Sequence, residues 1–306
     1  MGIERLNEAD APEVAREQVG DQGDANGDRV VAPETRDQRT CRTEYRATVE
    51  AEYGAAPDSS WDTAVLELRK AWAAHEAKWP PPRDSRSSHA PAAPGAWRGD
   101  SDRYLDPDAN AEVDHGCGRI REVAENVITP AIRAIEAEDL NRHLIGLEYS
   151  LKSVDRIKEK VADAVRYKGR TAEEALATVK DAIRFTFCYS EEGYTSGVLE
   201  DCVRLQDRGL QPFDRVSSWE AEEYKGVNSR WREPESGLLF EVQFHTRASF
   251  EAKQITHAAY ERLRSPATSD NERDELQEFQ RKVSAAIPIP PGATDIEDYS
   301  PEERNG

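Results

Sequence analysis

In the segment LLFEVQFHT, residues 238–246, apolar and polar side chains alternate strictly, so Phe240, Val242 and Phe244 fall on one face and Glu241, Gln243 and His245 on the other. The plain reading is an antiparallel strand with its polar face in solvent. A second carboxylate changes the weighing. Asp181 stands at the entrance of IRFTFCY, residues 183–189, whose β-branched and aromatic content predicts a strand, and Arg184 follows it. If the two strands are neighbours, Asp181 and Glu241 can share one hard cation. Mg²⁺ suits such a site, since it binds one or two carboxylates and takes its other ligands from water and substrate phosphates. A third element is basic: Lys152, Arg156 and Lys160 recur every fourth residue, as a cationic stripe on a helix would. Such a stripe can neutralise a triphosphate, and it can equally be a solvated face paired with Asp155 and Glu159.

These residues need a scaffold. The pattern predicts helices within 113–147, from Ser153 as N-cap to Tyr167 with Gly169 as terminator, and from Thr171 to Ala177. After the IRFTFCY strand it predicts a helix over 198–210 and strands over 227–232 and 238–246. Pro234 to Gly237 form the hairpin turn between those strands, and a closing helix covers 248–263. The fold class expected is α/β (α+β), with a small mixed or antiparallel sheet flanked by helices over residues 97–287. Residues 1–55 are acidic and polar without a sustained period, so the expectation is disorder. Residues 56–96 hold an amphipathic helix with Trp61, Val65, Leu68 and Trp72 on one face, then a Pro/Ser-rich linker; the helix is expected to fold back on the main domain rather than dock a partner. Residues 288–306 read as an extended tail.

The 306 residues are 37% hydrophobic and 33% charged, with a net charge of −19. That field repels polyanions, so a phosphate site must be a local basic pocket, and binding to nucleic acid or an anionic membrane by bulk charge is excluded. No apolar run approaches the ~18 residues of a membrane span, and the N-terminus carries no signal-peptide pattern. Cys41, Cys117, Cys188 and Cys202 are widely spaced and suggest neither zinc nor disulfides.

From about Arg142 to Arg264 the chain resembles the RelA/SpoT-type nucleotide pyrophosphokinases, the alarmone synthetases. LKSVDRIKEK is similar to their RxKxxxSIxxK stretch and KDAIRFTF to their Asp-bearing first strand. YKGVNSRW stands where they carry a GYxSxH-like strand, FEVQFHT closely resembles EVQIRT, and THAAYERLR resembles their closing HxxxY-like helix. The fit is nearest to the small, toxin-like branch. The resemblance implies a nucleotidyltransferase-like synthetase fold and transfer of pyrophosphate from ATP to the 3′-hydroxyl of a purine nucleotide, giving ppGpp-like or ppApp-like products. It implies that Asp181 and Glu241 hold Mg²⁺, that Glu241 can accept the hydroxyl proton, and that Lys152, Lys160 and Arg184 hold the ATP phosphates. Gln243 and His245 become candidates for phosphate or ribose contacts, while His257 is either a site residue or a packed helix histidine.

The departures carry information. Ser150 stands where the family often has an arginine, a contact that Arg156 can supply. Val227 replaces the tyrosine that stacks on the acceptor's guanine, which leaves Tyr224 or Trp219 as substitute platforms, with Lys225 beside Gly226 to hold ribose or phosphate. Asp181 lies three residues before Arg184, a shorter spacing than the family usually shows. Implied partners are ATP, a purine nucleotide and a cognate antitoxin or immunity protein, in the cytoplasm and away from membranes. A tRNA 3′ end as acceptor and a non-catalytic nucleotide-sensing module are the competing readings. No hydrolase-type metal cluster is visible, so alarmone hydrolysis is not expected.

Overall fold

Helix α1, Ser60–Lys78, opens the part of the chain that the computed structural model describes, which is residues 60–79, 93–99, 102–265 and 267–300. The disorder expected for 1–55 and most of the expected linker lie outside the described residues. Trp61 and Val65 of α1 are buried. Trp61 Nε1 and Arg69 both donate to Glu251, at 3.1 and 2.9 Å, and the Trp72 ring packs on Phe279 with centroids 5.2 Å apart. The helix therefore lies on the main domain, as its apolar stripe requires.

A two-residue pair, β1 (Trp97–Arg98) and β2 (Tyr104–Leu105), leads into α2, Pro107–Val123, capped by Asp106, whose carboxylate accepts from the Ala109 amide at 2.8 Å. A π-helical turn over Ala124–Ile128 joins α2 to α3, Thr129–Glu136, where Pro130 sits in the first turn that tolerates it. Strand β3, Arg142–Leu144, follows. Helix α4, Val154–Lys168, starts at the Ser153 cap and stops at Gly169, whose φ of 63° is left-handed. Helix α5, Ala172–Ala177, begins with a capping box between Thr171 and Glu174.

One five-stranded mixed sheet carries the rest, in the order β3-β4-β7-β6-β5. Its strands are β3, β4 (Arg184–Tyr189), β5 (Gln211–Ser217), β6 (Val227–Arg232) and β7 (Leu239–Thr246). The two chemically richest strands, β4 and β7, are adjacent and parallel, with Arg184 opposite Glu241; the other pairs are antiparallel. One sheet face is core: Phe187 stacks on Phe244 with centroids 6.2 Å apart, and Phe185, Phe240 and Val227 are buried beside them. Helix α6, Tyr194–Asp207, packs against β5 and β7, and α7, Arg247–Leu263, leaves β7 directly through a capping box between Thr246 and Ser249. Helix α8, Asp270–Ala285, packs on α7.

Four local expectations need correction. Arg142–Leu144 is a strand where the pattern gave helix, because it completes the sheet beside β4. The helix placed over 198–210 runs from Tyr194 to Asp207, and β5 follows where no strand was expected; Pro212 is tolerated because β5 is an edge. Helix α8 was not assigned, although Ser269 caps it and Leu276, Phe279 and Val283 are its buried side. The described part of the tail is not extended: Ala293 and Ile296 are buried, and Tyr299 pairs with Arg215, covering one point of the free edge of β5.

Candidate active site

The β4–β7 register decides the site. A parallel pair with Arg184 opposite Glu241 sets both side chains on the polar face, and the loop entering β4 delivers Asp181 beside them. The Arg184 guanidinium lies between the carboxylates, with Nε donating to Glu241 Oε2 at 2.5 Å and a terminal nitrogen donating to Asp181 Oδ2 at 3.3 Å. The two carboxylates thus share one cationic partner. Their oxygen donors are of the kind that Mg²⁺ takes, and Asp181 and Glu241 are the residues that would hold it.

Asp181 is further held by Lys152 Nζ at 2.8 Å and by Lys160 Nζ at 2.6 and 2.8 Å on its two oxygens. Partial burial pushes its carboxyl up, but the hydrogen bonds and charges of both lysines outweigh that and hold it well below the usual carboxylate range. Burial lowers the Lys152 ammonium in spite of Asp181. For Arg184 burial acts downward, and Glu241 overcomes it. Lys253 of α7 completes the group: burial and Arg184 bring its ammonium down to about 8, against the opposing pull of Glu241, and it donates to Gln243. Four cationic side chains thus gather around two carboxylates in a strongly acidic chain. Such a surplus suits a polyanionic ligand.

A cleft of about 670 Å³ opens over this group, lined by Lys160, Asp181, Arg184 and Glu241 on one side and Asp214, Asn228 and Arg230 on the other. Lys168 and Lys180 line it as well; Lys168 lies in no motif, and Lys180 opens KDAIRFTF without a role of its own there. Phe213, at the irregular point of β5, was missed too; its ring faces Lys180 at 4.8 Å and Arg232 at 5.5 Å.

Not every expected residue reaches the cleft. Lys152 precedes the Ser153 cap, so it is off the helix and the periodic stripe breaks there. Lys152 and Lys160 still converge, because Lys152 N donates to Ala182 O and Leu151 bridges Ile183 beside Asp181. Arg156 pairs with Glu159 at 3.3 Å and does not line the cleft. His245 is fully buried, its ring held between Ser249 Oγ at 2.9 Å and the Tyr224 hydroxyl at 3.0 Å, and burial keeps it neutral. It is a packing and hydrogen-bonding residue rather than a phosphate contact. Gln243 is buried and touches Glu241, not the cleft. His257 is exposed on α7 and does not line the cleft. Lys225 donates to the carbonyls of Trp219 and Ala221, each at 2.7 Å, closing its own loop. Trp219 is core, edge-on to Tyr194 with centroids 5.0 Å apart, and is no platform for a base. Tyr224 is half-buried, with its hydroxyl on Asn228 at 3.0 Å.

No protein-family model matches the sequence, and no curated protein does. Among solved structures the chain is similar to a GTP pyrophosphokinase family protein from Streptococcus pneumoniae, at 16% identity over 55% of this chain and 88% of that one, with a TM-score of 0.39. It is similar to small alarmone synthetase 1 from Bacillus subtilis bound to its product pppGpp, at 15% identity over 57% and 92%, TM-score 0.39. The Type VI effector Tas1, solved with its immunity protein, is similar at 17% identity over 58% and 94%, TM-score 0.34. Likeness at this level assigns neither residues nor a reaction.

Proposed function

We propose that this chain is a pyrophosphokinase that moves the β,γ-diphosphoryl group of ATP to the 3′-hydroxyl of a purine nucleotide. One observation carries the reading: Asp181 and Glu241 meet around Arg184 through the parallel β4–β7 register, with Lys152 and Lys160 converging on Asp181 at the wall of a cleft. The motif resemblance predicts the same residues in the same order.

In this reading Lys152, Lys160 and Arg184 turn from their resting carboxylate partners toward the ATP phosphates and hold the chain in line for attack. Mg²⁺, when bound, supplies neutralisation of charge on the phosphate oxygens. Glu241 receives the proton of the attacking hydroxyl. The new bond joins the 3′-oxygen to the β-phosphorus, the α–β bridge breaks, and AMP leaves with the bridging oxygen. Lys168, Lys180 and Arg230 extend the cationic lining to where the acceptor's own phosphates can lie.

The acceptor follows from Val227 and Trp219. Both are buried in the core, so neither stacks on a base. Aromatic stacking is worth roughly 1–3 kcal/mol per base, and its loss at Val227 broadens the choice of purine. The test is incubation with ATP, magnesium and each of GTP, GDP, ATP, AMP and bulk tRNA, followed by mass identification of what gains pyrophosphate. Adenosine and guanosine nucleotides modified at comparable rates is the expected result. Modification of tRNA alone would replace the mononucleotide acceptor by a nucleic-acid end, and strict use of guanosine would show that a group other than a stacked ring reads the base.

A further inference from the structure

Glu241 is held from two sides. Arg184 takes Oε2, and Gln243 Nε2 donates to Oε1 at 3.2 Å. The other end of the Gln243 amide faces α7, where Lys253 Nζ donates to its Oε1. The orientation of this amide follows from chemistry alone. An ammonium only donates and a carboxylate only accepts, so the amide between them can be set one way. Lys253 lies against the Phe250 ring, 5.5 Å from its centroid, and does not line the cleft.

We infer that Lys253 is a positioning residue for the transfer reaction, acting through Gln243 to fix the orientation of the Glu241 carboxylate. The inference rests on the pyrophosphokinase reading. Its logic is that of an outer group holding an inner one. Without the lysine, Gln243 loses the partner that pins its carbonyl, its amide is free to turn, and Glu241 keeps only Arg184, a residue that must itself move to phosphate. With the lysine in place, the positive charge polarises the amide and strengthens its donation to the carboxylate. A purely structural residue at this half-buried position is better served by an apolar chain, because burying an ammonium disfavours the charged form.

The test compares Lys253→Met, Lys253→Arg, Gln243→Leu and the double variant Lys253→Met/Gln243→Leu, with AMP release, KM for ATP and Tm measured for each. Lys253→Met should lower kcat by roughly 10–100-fold while KM for ATP stays within about threefold and Tm is not reduced. Lys253→Arg should recover part of the rate. The double variant should be no slower than Gln243→Leu, since a group acting through another adds nothing once the intermediary is gone. An unchanged kcat in Lys253→Met, or losses that multiply in the double variant, overturns the inference while leaving the reaction standing. Absence of AMP release in the wild type overturns the reaction and the inference together.

Discussion

Lys160 and Arg156 stand one helical turn apart on α4, yet Lys160 holds Asp181 and Arg156 pairs outward with Glu159. If Lys160 exchanges a carboxylate for phosphate when ATP binds, Lys160→Ala removes a charge-assisted contact of about 1.5–3 kcal/mol and should raise KM for ATP roughly tenfold or more. Arg156→Ala should leave KM unchanged, because its ion pair is exposed and contributes little. Steady-state kinetics on the two variants separates a phosphate lysine from a surface arginine. At this scale the sequence was legible where strand alternation or a motif named the residue, as for Asp181, Arg184 and Glu241. It was not legible where a residue's role depends on what folds over it. His245 shares a strand face with Glu241, but α7 covers its end of that face and Ser249 takes its ring, so alternation predicts exposure where tertiary packing imposes burial. Lys168 comes from the end of α4, Lys180 from the turn before β4 and Arg230 from β6, and only the folded chain brings them to one cleft.

Among the elements, the loop before β6 is held to β7 by a close approach at Gly226. Its φ is 147°, and a Cβ there would lie 2.9 Å from the His245 ring. Gly226→Ala must therefore strain the backbone and displace the ring that connects Tyr224 to Ser249. A loss of about 1–3 kcal/mol is expected, visible as a lower midpoint in chemical denaturation; an unchanged midpoint would mean that the loop relaxes without cost. The strands β4, β6 and β7 were readable because their residues alternate or are β-branched and aromatic. β5 was not, since QPFDRVS carries proline and two charges, and an edge strand is formed by its neighbours more than by its own propensity. α8 had its signal, a serine cap and an apolar spacing of three and four residues, which its many charges masked. β3 is too short for any pattern to register.

For the whole molecule, α1 is fastened to α7, the helix that carries Ser249 and Lys253 behind the site. Trp61 fills a buried position and donates to Glu251, and Arg247 of α7 pairs with Asp62 at 3.3 Å. Trp61→Ala should cost about 3–5 kcal/mol, a fall in Tm of roughly 10 °C for a domain of this size, measurable by calorimetry; a Tm within a degree of wild type would show that α1 contributes no stability. The overall charge sets a second condition. In a chain of net charge −19, phosphate is welcome only where cations are concentrated, and the convergence of Lys152, Lys160 and Arg184 on Asp181 is such a place. Pyrophosphate transfer is tested by release of AMP from ATP in the presence of a purine nucleotide, with and without magnesium, by the wild type and by Glu241→Gln, which removes one charge at nearly constant volume. The wild type should release AMP with magnesium only, and a Glu241→Gln variant whose circular dichroism matches the wild type should release none above background. Transfer by a folded Glu241→Gln variant at the wild-type rate would contradict it.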